Sequence, residues 1–149
     1  MTQDWGYIIR TIHPQLPCDF LVGWTREPAI SSVLINQVKA KISSSFLTQT
    51  QEEVLRLEKA LLVGEKEIVK QSLEKVSCLL LQLSPAIYNE KLRALKRSSQ
   101  GLDCMAKSSG AGGGDCGIAL SFDSKASQIL VERWQAAGIE VLYKERWDR

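Results

Sequence analysis

One histidine, four prolines and a net charge of only +2 narrow what this 149-residue chain can be. His13 stands alone, and Cys18, Cys78, Cys104 and Cys116 lie far apart with no Cys-x-x-Cys pair, so no metal-ligand set is present. The same scatter argues against a disulfide framework, and the four cysteines read as reduced thiols of a cytoplasmic protein. With little net charge and no block of like charge, nucleic acid and a membrane surface are not expected as partners. No apolar run is long enough to cross a bilayer; the densest, Cys78 to Leu81, sits inside a helical pattern. The start, Met1-Thr2-Gln3-Asp4-Trp5, has neither a basic region nor a long apolar core, so no secretion signal is expected. There is no Walker A string with its Gly-Lys-Ser/Thr.

What is present is ordinary globular material: 44% hydrophobic and 24% charged residues, enough for one domain with a real core. Trp5 to Ile12 and Cys18 to Trp24 read as strands, separated by the proline-bearing His13 to Pro17. Ser31 and Ser32 are natural caps for a helix carrying Ile35, Val38 and Ile42. Thr50 with Glu53 makes a capping box for a second helix, with Val54, Leu57 and Leu61 as its stripe and Gly64 as its stop. Val69, Leu73, Val76, Leu80 and Leu83 mark a third. Ser84 caps and Pro85 opens a fourth, with Tyr88, Leu92 and Leu95 on one face. Its cluster Lys91, Arg93, Lys96 and Arg97 lacks interleaved aromatics and reads as a solvated face. A short strand ends near Lys107, another runs from Cys116 to Phe122, and Asp123 and Ser124 cap a helix with Ile129, Leu130, Trp134 and Ala137 inward that Gly138 ends. A last strand spans Ile139 to Tyr143. The order predicts an α+β fold: helices packed on one face of a small, largely antiparallel sheet.

The most informative stretch joins two of those strands. Lys107-Ser108-Ser109-Gly110-Ala111-Gly112-Gly113-Gly114-Asp115-Cys116-Gly117 packs five of the ten glycines into eight residues, directly behind a lysine and two hydroxyls. Glycines reach positive φ without penalty and admit close approach, so successive N–H groups can converge on a phosphate. Gly112-x-Gly114-x-x-Gly117 also matches the dinucleotide fingerprint, but that motif opens a helix and here a β-rich run follows. A plain hairpin tip or flexible linker is the alternative, though neither needs Lys107, Ser108 and Ser109 upstream.

The run KSSGAGGGDCGIAL resembles the third conserved motif of the GHMP small-molecule kinases, the family that includes galactokinase, homoserine kinase, mevalonate kinase and phosphomevalonate kinase. Asp19 to Thr25 with Pro28 to Ser32, and the ending Gly138 to Tyr143, resemble the bacterial phosphomevalonate kinase branch. The likeness covers the whole chain and only the C-terminal half of the family, implying a ferredoxin-like C-terminal domain over residues 1–149. The family's Pro-x-x-x-Gly-Ser-Ser ATP loop does not occur in these residues. The resemblance therefore implies ATP and Mg²⁺ bound mainly by a separate N-terminal kinase domain, 5-phosphomevalonate as substrate, no catalytic residue in this chain, and no activity of the chain alone. It implies that Ser108, Ser109, Gly110 and Ala111 contact substrate phosphate, that Gly112, Gly113 and Gly114 keep the loop close to the ATP loop, and that Ser31 and Ser32 both cap a helix and present a hydroxyl to substrate. Lys107 either adds a point charge or faces solvent. Asp115 takes a structural role, because a carboxylate beside phosphates is repulsive; Cys116 is core. An apolar face left for the other domain would favour self-association. A stand-alone anion- or nucleotide-binding regulatory module is the alternative function.

Overall fold

A computed structural model describes residues 6–29, 31–110 and 112–147. Four strands, β1 (Cys18–Trp24), β2 (Cys104–Ser108), β3 (Cys116–Ser121) and β4 (Glu140–Trp147), form one antiparallel sheet in the order β2-β3-β1-β4. Five α-helices accompany it: α1 (Ser31–Val38), α2 (Ser44–Val63), α3 (Lys66–Leu83), α4 (Glu90–Arg97) and α5 (Ser124–Ala136). The α+β class and the element order from β1 onward follow the sequence pattern.

Strand alternation divides the apolar residues between two clusters. Leu21, Ala106 and Ala119 pack with Leu92 and Leu95 of α4 and with Leu130 and Trp134 of α5. Leu120 and Phe20, one residue out of phase with these, join Ala60 of α2 and Val69 and Leu73 of α3 in the second cluster. α3 also runs past the free edge of β2, where Lys66 and Lys70 both reach Asp103 at 2.9 and 3.2 Å.

Several expected boundaries move. The strand expected from Trp5 to Ile12 is absent over residues 6–12, and Trp5 lies outside the described residues. Both sides of β1 are already paired, by β3 and β4, so the upstream segment finds no ladder there. Its Tyr7, Ile8 and Ile9 are 80, 87 and 83% exposed. α1 stops at Val38, ahead of a 3-10 turn at Lys39–Lys41, and buries Leu34 and Val38 while Ile35 and Ile42 stay exposed. α2 starts at Ser44, capped by Ser43, which accepts from Phe46 N–H at 3.0 Å. Thr50 therefore sits inside that helix, its hydroxyl bonded back to Phe46 O at 2.9 Å, and no capping box forms with Glu53. Gly64 closes α2 in the left-handed conformation, as its position predicts. Ser84 and Pro85 open only a 3-10 turn, Pro85–Ile87; the helix proper begins after Asn89, whose side chain accepts from Leu92 N–H at 2.9 Å. β4 extends to Trp147, held by stacking of Trp147 on Phe20. Among the described residues no helix is long and apolar enough to cross a membrane.

Candidate functional site

β2 and β3 pair down to Ser108 and Gly117, and Ser109 N–H adds a rung to Cys116 O at 3.1 Å. The chain between must reverse in a few residues, which it does by left-handed geometry: φ is 67° at Gly110, 79° at Gly112, 76° at Gly113 and 55° at Asp115, with Gly114 at 148°. The glycines also allow close packing. A Cβ at Gly112 would lie 2.6 Å from both Cγ2 and the carbonyl oxygen of Ile87, and one at Gly114 would lie 2.8 Å from Glu27 O.

Two segments distant in sequence grip this loop. On one side Asp115 N–H donates to Glu27 O at 2.7 Å, while Asp115 O accepts from the N–H and the hydroxyl of Thr25, each at 2.8 Å. Asp115 is thus engaged through its main chain, in a conformation that aspartate tolerates better than most residues. On the other side Ile87 O accepts Gly113 N–H at 2.8 Å, Asn89 Nδ2 donates to Gly113 O at 3.1 Å, and Tyr88 OH accepts Ser108 N–H at 3.1 Å. Tyr88 OH is anchored in turn by a short hydrogen bond with Ser77 Oγ. Among the described residues, the N–H groups of Gly110, Gly112 and Gly114 take no partner. The loop is therefore a braced curve with donors left over, which is what an anion needs.

The remaining candidates fall as follows. Ser108 is 1% exposed; its hydroxyl shares the sheet face of Cys104 and Ala106 and has no hydrogen-bond partner among the described residues. Ser109 is half-buried at the loop entrance. Lys107 is half-buried, and its ammonium folds back in a short hydrogen bond to Ser108 O. Burial holds that ammonium below its ordinary value. Ala111 lies outside the described residues, and so does the side chain of Ser31. Ser32 is exposed in the first turn of α1, the helix that reaches the loop through Leu34, whose Cδ2 would lie 3.3 Å from a Cβ on Gly113. Cys116 is half-buried, and burial together with Asp115 pushes its thiol up, which disfavours a thiolate nucleophile.

The basic cluster of α4 is not a single field. Lys91 donates to Thr25 O at 3.0 Å, Arg93 Nε to Tyr88 O at 2.8 Å, and Lys96 pairs with Glu74 at 2.9 Å. Lys91 and Arg93 brace the two segments that hold the loop. Thr25, Glu27, Ile87 and Tyr88 carry no local signal for this task, because each acts through its backbone or as a buried ring. Asn89 alone was readable, as an asparagine ahead of Glu90-Lys91-Leu92.

Comparison with known proteins gives this arrangement relatives. The family model described as "GHMP kinases C terminal" matches residues 57–140. A curated phosphomevalonate kinase from Streptomyces sp. (strain CL190) is 31% identical over 147 residues, covering 90% of this chain and 39% of that protein. The crystal structure of Streptococcus pneumoniae phosphomevalonate kinase is 51% identical and superposes with a TM-score of 0.93, covering 97% of this chain and 45% of that one. The same enzyme in complex with phosphomevalonate and AMPPNP gives 51% identity and a TM-score of 0.92 over 97% of this chain and 44% of that one. The chain thus spans less than half the length of these relatives.

Proposed function

The chain belongs to the GHMP kinase family, whose C-terminal model it matches, and on that premise we propose that it forms the substrate-phosphate half of a phosphomevalonate kinase. The parent enzyme transfers the γ-phosphoryl group of ATP to 5-phosphomevalonate, giving 5-diphosphomevalonate. Phosphoryl transfer asks a protein chiefly for positioning and charge neutralisation. The observation that carries the reading is the braced glycine loop with three unpartnered N–H groups, among the described residues, at Gly110, Gly112 and Gly114.

In this reading those donors and the Ser109 hydroxyl bind the phosphate already on the substrate and orient it. Ser108 and Lys107 support the loop from the strand below. Ala111, Ser31 and Ser32 join the site on the strength of the family resemblance. The relative solved with phosphomevalonate and AMPPNP, an ATP analogue, supports both substrates. Residues 1–149 then form one domain, and the ATP loop, absent from this sequence, belongs to a second. The residues here do not fit a magnesium site: among those described, no group of three or more His, Cys, Asp or Glu could hold a metal ion. No step for this chain runs through the metal.

A coupled assay of ADP release tests the proposal. The 149-residue chain alone is expected to show no turnover with ATP and 5-phosphomevalonate, and turnover is expected once it is joined to an N-terminal GHMP kinase domain. Preference of the joined enzyme for mevalonate or homoserine would reject the phosphorylated substrate. Turnover by the chain alone would reject the half-site.

A further inference from the structure

What leaves the N–H groups of the loop pointing outward is decided by which of its other polar groups are held from behind. Gly113 is held at both ends of its backbone: its N–H by Ile87 O at 2.8 Å and its C=O by Asn89 Nδ2 at 3.1 Å. The peptide unit is planar and trans, so fixing the Gly113 carbonyl also fixes the Gly114 N–H of the same plane, directed the opposite way. Gly114 N–H is one of the donors without a partner among the described residues. We propose that Asn89 is a positioning residue of the glycine loop, whose side-chain amide turns the Gly113–Gly114 peptide so that its N–H faces the bound phosphate.

Asparagine suits the task because it both donates and accepts. Its Oδ1 accepts Leu92 N–H at 2.9 Å and caps α4, while Nδ2 donates to Gly113 O and to Glu27 Oε2, each at 3.1 Å. Leu92 N–H can only donate and Gly113 O can only accept, so the network sets the amide orientation uniquely. The same side chain therefore ties the helix start, the loop and the Glu27 segment together. An aspartate at this position would cap the helix equally well, yet would set a carboxylate against a carbonyl and a second carboxylate. That difference separates positioning from simple helix stability.

The inference rests on the loop being the phosphate site, and the test keeps the two apart. In the 149-residue chain, Asn89→Asp should leave the melting temperature nearly unchanged, shift the Gly113 and Gly114 amide resonances and speed hydrogen exchange at Gly113. Titration with 5-phosphomevalonate, and with inorganic phosphate as a second probe, should show binding weakened roughly fivefold, the size of one lost hydrogen bond. Asn89→Ala should lose the same affinity and melt earlier as well, since the cap goes too. Adding Glu27→Gln to Asn89→Asp removes the new charge repulsion; the weakening should persist, and full recovery would overturn the role of the donor. Unchanged Gly113 exchange and amide shifts in Asn89→Asp would overturn the positioning role outright. Altered exchange and shifts with unchanged affinity for both probes would keep Asn89 as the holder of the loop and reject the loop as the phosphate site.

Discussion

Gly112 and Gly110 share a backbone conformation but not a fate. A side chain at Gly110 meets nothing within 4 Å, whereas at Gly112 it would press into the Ile87 carbonyl, which is backbone and cannot rotate away. Gly110→Ala is therefore expected to cost only the left-handed strain, about 1 kcal/mol. Gly112→Ala should cost roughly 2 to 4 kcal/mol, combining strain with the clash, and should abolish phosphate binding by displacing the loop. Urea unfolding of both variants beside a phosphate titration checks the contrast; equal costs would show that Ile87 yields. At this scale the glycine count was legible from sequence, but the asymmetry between two glycines was not. It depends on Ile87, which belongs to a different part of the chain and meets the loop only once the molecule has folded.

Among the elements, the junction of α3 with the start of β2 is held by charge. Burial pushes the Asp103 carboxyl up, yet hydrogen bonds from Lys66 and Lys70 outweigh it and leave the group below its ordinary value of 3.8. A carboxylate depressed in the folded state stabilises above its unfolded value, and that stabilisation is lost as pH falls through the folded one. Asp103→Asn should cost about 0.5 to 1 kcal/mol at pH 7, a modest figure because all three side chains are partly exposed. Denaturant unfolding at pH 7 and pH 2 should show the difference at the first and none at the second. Helix ends were legible where local chemistry decides them, as with Gly64 and Gly138, both at φ 78°. The start of α2 was not. Both Ser43 and the string Thr50-Gln51-Glu52-Glu53 offer a capping hydroxyl, and packing of α2 on α3 settles which is used.

For the whole molecule, the two-domain reading makes a prediction about surface. Tyr7, Ile8 and Ile9 are the most exposed large apolar side chains among the described residues, and Val54 and Leu55 of α2 are also more than half exposed. Contiguous apolar surface of this kind marks contact with another body. Hydrogen exchange over residues 6–12 is expected to slow when the chain is joined to its N-terminal domain, and unchanged exchange there would place the domain contact elsewhere. Self-association of the isolated chain, seen as concentration-dependent sedimentation, is expected for the same reason and should fall in an Ile8→Ser, Ile9→Ser variant.

Sequence alone determined that a glycine-rich curve joins two strands behind a lysine and two serines, that α3 and α5 are amphipathic helices with defined ends, and which family the chain resembles. These are local matters of backbone freedom and side-chain periodicity. Tertiary structure decided what holds the curve. Asp115 is tied to Thr25 across 90 residues and Gly113 to Asn89 across 24, and these contacts determine which N–H groups remain free. It also turned the Ser108 hydroxyl into the interior, since strand alternation places it beside Cys104 and Ala106 once the sheet face is known. A hydrogen bond's partner is chosen by where chains meet in space, and no spacing along one segment records that choice.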